Sequence, residues 1–219
     1  MNKPLHALIV GASGATGKPL LEQLLANEAI GQVTVFVRKA MALNHPKLVQ
    51  QVIDFDDTAS WQAQVKGDVL FSCLGTTLKD AGSQAAQRKI DYDYQYAFAL
   101  AAKRNQMPAY VLVSSAHADS QSRLFYPRIK GELEQAVSAL GFERCVIARP
   151  PLLLRPDSNR TGEKIGARLL GAANRLGWFK QHRPLPTAQL AQALMLAALQ
   201  TGQGIHILES QDIWRLIQA

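Results

Sequence analysis

The chain has five tyrosines, and only Tyr126 is followed four residues later by a lysine, in the run Tyr126-Pro127-Arg128-Ile129-Lys130. Four residues is about one helical turn, so a helix places both side chains on one face. An ammonium beside a phenol favours the phenolate and draws a tyrosine down from its ordinary value near ~10. A phenol tuned in this way suits proton transfer at a carbonyl or alcohol oxygen. Ser114 and Ser115 precede it by about one short loop, and a serine there can polarise the same oxygen. A second constellation lies near the start: Gly11-Ala12-Ser13-Gly14-Ala15-Thr16-Gly17. Its glycines permit a tight turn and let backbone N–H groups approach a pyrophosphate, while Ser13 and Thr16 add donors.

Chemistry of this kind needs strand ends and helix starts to hold it. Leu5–Val10 is an almost unbroken apolar run ended by Gly11, and Lys18–Ala26 then carries leucines at helical spacing. Further strands are expected at Gln32–Val37, Leu48–Phe55, Asp68–Cys73, Ala109–Ser114 and Arg144–Ala148. Helices are expected at about Thr58–Val65, Ala85–Arg104 and Pro127–Leu140. Apolar strands alternating with helices imply an α/β doubly wound parallel sheet, covered on both faces. The glycine turn then falls between the first strand and first helix, and Ser114-Ser115 ends the fifth strand. After Arg149-Pro150-Pro151 the chain becomes rich in glycine and proline. We expect one domain over 1–219, with 151–186 as a small substrate-side lobe over the sheet edge, then a helix at Thr187–Leu199 and a strand at Gly204–Leu208.

Composition narrows the classes. The chain has 219 residues, 47% apolar and 19% charged, which suffices for a packed core. No apolar run approaches the ~20 residues of a spanning helix, and no leader precedes Gly11, so no membrane partner and a cytoplasmic location are expected. The net charge is +7, but the basic residues fall in scattered pairs such as Arg38-Lys39 and Lys103-Arg104. That spread argues against a nucleic-acid binder. Cys73 and Cys145 lie in strand-like runs without metal spacing, and the five histidines share no motif, so no metal is expected.

The second strand ends in Arg38-Lys39, where NAD-specific folds carry an acidic residue ~20 residues past the glycine turn. Two cations attract a 2′-phosphate, which favours NADP(H) over NAD(H). With these residues the chain resembles an atypical short-chain dehydrogenase/reductase with an extended-type glycine motif. Within that superfamily it is most similar to the Tat-interacting-protein branch and its bacterial relatives. The similarity rests on Gly11–Gly17, Cys73-Leu74-Gly75-Thr76-Thr77, Ile90-Asp91-Tyr92-Asp93-Tyr94, Ser114-Ser115-Ala116, Tyr126–Glu132 and Arg149-Pro150, with Arg160-Thr161-Gly162-Glu163 as a further match.

The resemblance implies a Rossmann-like fold and a cofactor held by Gly11, Ser13, Gly14, Ala15, Thr16 and Gly17. It implies Asp54 and Phe55 near the adenine, Leu74-Gly75 along the adenine and ribose, and Pro150 to Leu152 toward the nicotinamide. Tyr126 then corresponds to the acid/base, Lys130 to its partner and a ribose ligand, and Ser115, rather than Ser114, to the substrate-orienting serine. Two departures stand out: Asp91 replaces an Asn frequent in related extended enzymes, and Pro127 biases Tyr126 away from helical geometry. The implied activity is NADPH-dependent reduction of a small carbonyl-type molecule, with oligomeric state open. The alternative is an NADP(H)-binding regulator or scaffold without turnover. Trp178-Phe179 walls a substrate pocket or caps the lobe's core, and Arg155 and Arg160 read as solvated loop residues.

Overall fold

The computed structural model describes residues 3–154 and 183–218. Seven parallel strands form the main sheet in the order β3-β2-β1-β4-β5-β6-β9. They are β1 (Leu5–Val10), β2 (Ile30–Val37), β3 (Leu48–Val52), β4 (Val69–Ser72), β5 (Ala109–Val113), β6 (Arg144–Ala148) and β9 (Gly204–Leu208). The doubly wound, Rossmann-like architecture is therefore present. β1 reads as a continuous apolar run because it is central, with Ala7 to Val10 wholly buried. Its side chains still alternate. Ala7 and Ile9 join one core with α1 (Gly17–Ala26), α7 (Thr187–Gln200) and α8 (Ser210–Gln218). Leu8 and Val10 join the other with Trp61, Phe98 of α5 (Tyr94–Arg104), and Leu133 and Val137 of α6 (Phe125–Ser138).

After β3 the chain returns to place β4 on the opposite side of β1. The strand ends separate at that reversal and leave a crevice, the usual ligand position in such sheets. Gly11 sits there with φ +86°, and a Cβ on it would fall 2.7 Å from the Cys73 carbonyl carbon. Only glycine fits.

Several boundaries differ from the sequence expectation. β3 stops at Val52 because Asp54–Asp57 closes a turn, with Asp57 N donating to Asp54 O at 3.2 Å. The single helix expected over Ala85–Arg104 is α4 (Gln84–Arg88), a π turn at Lys89–Asp93, and α5. Two short helices, α2 (Thr58–Trp61) and α3 (Leu78–Ala81), flank β4. α6 starts at Phe125, so Tyr126 is helical despite Pro127. Proline is tolerated there because the first four helical N–H groups have no intrahelical acceptor. The helix α8 was not anticipated. Of the expected lobe, the ends meet as β7 (Leu153–Leu154) paired with β8 (Leu185–Pro186). Its middle, with Arg155, Arg160-Thr161-Gly162-Glu163 and Trp178-Phe179, lies outside the described residues.

Candidate active site

The glycine turn is built by backbone contacts. Gly14 N donates to Gly11 O at 3.0 Å, and a Cβ on Gly17 would collide with that same Gly11 oxygen. Thr16 and Gly17 are buried beneath the turn, while Ser13, Gly14 and Ala15 are exposed at its rim. Thr16 makes no side-chain cap to α1, and the first turn of α1 has no acidic residue. The positive end of the helix dipole thus has no side-chain cap and no acidic neighbour in the first turn, an arrangement that favours an anion.

A cleft of about 340 Å³ opens beside this turn, walled by Gly11, Ser13, Gly14, Arg38, Phe55, Leu74 and Gly75 among others. Seven of the expected cofactor residues thus converge on one space. Lys39 is exposed beside Arg38 but does not line the cleft. Asp54 is likewise off the wall, its carboxylate accepting from Asp56 N at 2.9 Å and its carbonyl from the Trp61 indole at 3.0 Å. Phe55 is buried, its ring 5.2 Å from that of Tyr94.

Sequence reasoning missed further residues on this wall, among them Thr76, Lys89 and Tyr94. Lys89 pairs with Asp56 at 2.7 Å, and the Tyr94 hydroxyl donates to Asp56 at 2.8 Å. These two bonds hold the Asp56 carboxyl below its ordinary value and raise Lys89 in turn. Lys89 thus lines the cleft as one half of an ion pair, its charge offset by Asp56. The signal was a basic residue one turn before Tyr94, but its acidic partner lies on another element and no local pattern links them.

The remaining candidates centre on α6. Tyr126 lies in its first turn, 38% exposed, while Lys130 is only 2% exposed. Lys130 Nζ donates to the Val113 carbonyl at 3.2 Å, which ties α6 to the end of β5. Burial pulls the lysine down from its ordinary value, while Asp91 and then Glu134 oppose that shift. The two serines beyond Val113 have different surroundings. Ser114 donates its hydroxyl to Glu134, which Arg149 holds in a fork with contacts of 2.6 to 3.2 Å. Ser115 Oγ is buried with no hydrogen-bond partner among the described residues. Ala116 N donates to the Pro150 carbonyl at 3.1 Å, so the loop after Ser115 runs beside Pro150. Pro150 is buried and Leu152 is 44% exposed beyond it.

Cys73 also lines the cleft, but burial pushes its thiol up to about 12, so it is not a nucleophile. Among the described residues no group of three or more His, Cys, Asp or Glu side chains could hold a metal. None of the described helices is long and apolar enough to cross a membrane.

Comparison with known proteins agrees with this geometry. A family described as NAD(P)H-binding matches residues 11–165. The protein HTATIP2 of Rattus norvegicus is 33% identical over 215 residues, covering 95% of this chain and 87% of its own length. Protein fmp52, mitochondrial, of Emericella nidulans is 31% identical, covering 96% of this chain and 94% of its own length. Among solved structures, the Bordetella bronchiseptica enzyme WbmH in complex with NAD+ shares the fold, with a TM-score of 0.72, 18% identity, and coverage of 98% of this chain and 79% of that one. So does an oxidoreductase of the short-chain dehydrogenase/reductase family from Burkholderia thailandensis, with a TM-score of 0.68, 19% identity, and coverage of 96% and 93%. The cytoplasmic location expected from the sequence is corrected by these relatives, since the fungal proteins from Emericella, Coccidioides and Candida are named mitochondrial. Glycine turn, parallel sheet and relatives converge: the chain belongs to the NAD(P)H-binding family, as an atypical short-chain dehydrogenase/reductase related to the Tat-interacting-protein branch.

Proposed function

We propose that the protein is an NADPH-dependent reductase of a small carbonyl compound. The observation that carries this reading is the contrast between the serines: Ser114 is bonded into the protein, whereas the Ser115 hydroxyl is buried and unpartnered among the described residues. Leaving a buried hydroxyl unpaired is unfavourable by ~1–3 kcal/mol, so such a group is kept where a ligand completes it. When bound, the nicotinamide cofactor supplies the hydride. The protein's part is to hold it and to handle the proton.

The residues fit that cofactor. The uncapped N-terminus of α1 beside the glycine turn suits a pyrophosphate, and Leu74 and Gly75 form the adjoining wall. Arg38 suits a 2′-phosphate, which supports NADPH over NADH. Ser115 donates to the carbonyl oxygen, and Tyr126 delivers a proton to it. The Lys130 ammonium, on the same face of α6, stabilises the phenolate left behind.

Titration of both cofactors into the protein tests the first half. NADPH should bind about ten- to a hundredfold more tightly than NADH, the equivalent of one charge-assisted contact, and Arg38→Asp should erase the difference. Equal affinities in the native protein would refute the preference. A carbonyl screen with NADPH tests the second half. Tyr126→Phe should lower turnover by ~10²–10⁴-fold with NADPH affinity within a few-fold. Full activity of that variant would remove Tyr126 from the chemistry, and a screen without turnover would favour the regulatory alternative.

A further inference from the structure

Asp91 is fully buried, and it is presented by the π turn Lys89–Asp93. A π turn holds an extra residue relative to an α-helix, and such turns gather at functional sites. The turn is pinned from several sides. Asp91 Oδ2 accepts from Thr76 N at 3.1 Å, and the Asp91 carbonyl accepts from Gln95 Nε2 at 2.8 Å. Gln95 in turn accepts the Ser72 hydroxyl at 2.8 Å, so the turn is locked to the end of β4. The second carboxylate oxygen, Oδ1, has no hydrogen-bond partner among the described residues, although it is buried. It lies 3.8 Å from Lys130 Nζ.

The groups facing Lys130 can be ranked. From α6 itself come Tyr126 one turn before and Glu134 one turn after. Glu134 is already neutralised by the Arg149 fork and by Ser114. From the end of β4 comes Cys73, which burial keeps as a neutral thiol. From the π turn comes Asp91. A buried ammonium needs a counter-ion, and Asp91 supplies a carboxylate that no other cation among the described residues has claimed. At 3.8 Å the pair attracts without a hydrogen bond, so Asp91 does not consume an N–H of Lys130.

We infer that Asp91 is a positioning residue: its carboxylate keeps the buried Lys130 charged and available on the Tyr126 face of α6. The link to Tyr126 rests on the function proposed above, whereas the pairing with Lys130 stands independently of it. The plain structural role of Asp91 would be to accept from Thr76 N. An asparagine carbonyl performs that role equally well, which makes Asp91→Asn decisive.

The experiment follows lysine side chains by NMR in protein carrying carbon-labelled lysine, with the Lys130 signal assigned through Lys130→Arg. No turnover or cofactor is needed, so its failure is separate from failure of the carbonyl screen. In the native protein Lys130 should be charged at pH 7. In Asp91→Asn its titration should move down by roughly one unit or more, a tenfold change in the protonation ratio. The Tyr126 phenol, isolated as the ultraviolet difference between each protein and its Tyr126→Phe variant, should move up. Asp91→Glu, which keeps the charge and disturbs the Thr76 contact, should leave Lys130 near its native behaviour. A neutral Lys130 at pH 7 in the native protein overturns the inference whether or not Asp91→Asn folds. So does an unchanged Lys130 in Asp91→Asn, and a moved Lys130 with an unmoved Tyr126 overturns the positioning role.

Discussion

The turn after β1 and the seam between the π turn and α6 both lean on the segment Cys73–Thr76. Gly11 packs against the Cys73 carbonyl, and Asp91 accepts from Thr76 N. Their construction differs. The turn has no capping side chain; carbonyls and missing Cβ atoms shape it. The seam has side chains of ordinary volume but encloses Lys130, Asp91 and Glu134, each at most 5% exposed. A site made of backbone is sensitive to volume and indifferent to pH, and one made of buried charge is the reverse. In the function proposed above, the first construction serves a polyanion and the second sets proton affinities.

Lys130→Met should give the largest effect. Methionine replaces much of the volume but leaves Asp91 buried and unpaired, a loss of about 3–5 kcal/mol at neutral pH. Burial already holds the Asp91 carboxyl above its ordinary value. Removing Lys130 raises it further, so the folded protein then takes up a proton more readily than the unfolded chain. The loss should therefore be least below the ordinary aspartate range and grow as pH rises through the raised folded value. Urea unfolding at pH 5 and pH 8 measures this, and equal losses would break the distinction drawn above. Gly17→Ala should follow, at ~1–3 kcal/mol for forcing a Cβ onto the Gly11 oxygen, and with the same loss at both pH values. A pH-dependent loss there would mean that the turn also depends on charge.

The smallest effect sharpens the contrast inside the seam. Ser114→Ala should destabilise by ~1.5–3 kcal/mol, since it removes a hydrogen bond to a carboxylate. Ser115→Ala should cause no loss of stability, because its hydroxyl has no partner to lose and the truncation relieves the penalty of burying it unpaired. Thermal unfolding of the two variants side by side decides it. Equal losses would mean that Ser115 is structural.

How far the sequence revealed this follows from the same contrast. The glycine turn was legible because its requirements are local: a strand, a tight turn and a helix start within one stretch. β1, β4, β5 and β6 were legible because burial on both faces leaves a run of apolar residues. The Tyr126–Lys130 relation was legible as one helical turn. The Lys89–Asp56 pair was not, since it joins residues 33 apart through the sheet's own crossover. The π turn was hidden because one additional residue barely disturbs the apolar spacing of Ala85–Arg104, although it decides where Asp91 points. α8 carried a signal in Ile213, Leu216 and Ile217, yet only Ile213 is fully buried, and so short a stripe is easily passed over.

The packing of α1 on α7 also bears on how the chain is made. Leu20, Leu21, Leu24 and Leu25 of α1 share a core with Leu190, Ala191 and Leu194 of α7, and Gln23 donates to a carbonyl 165 residues further along. On a ribosome adding ~5–20 residues per second, that partner arrives roughly 8–30 s after α1 has emerged. For that interval four leucines of the nucleotide-binding half lack their cover, and the glycine turn they support has no settled floor. The nascent chain thus carries a sticky helix for most of its synthesis, and a chaperone would find it there.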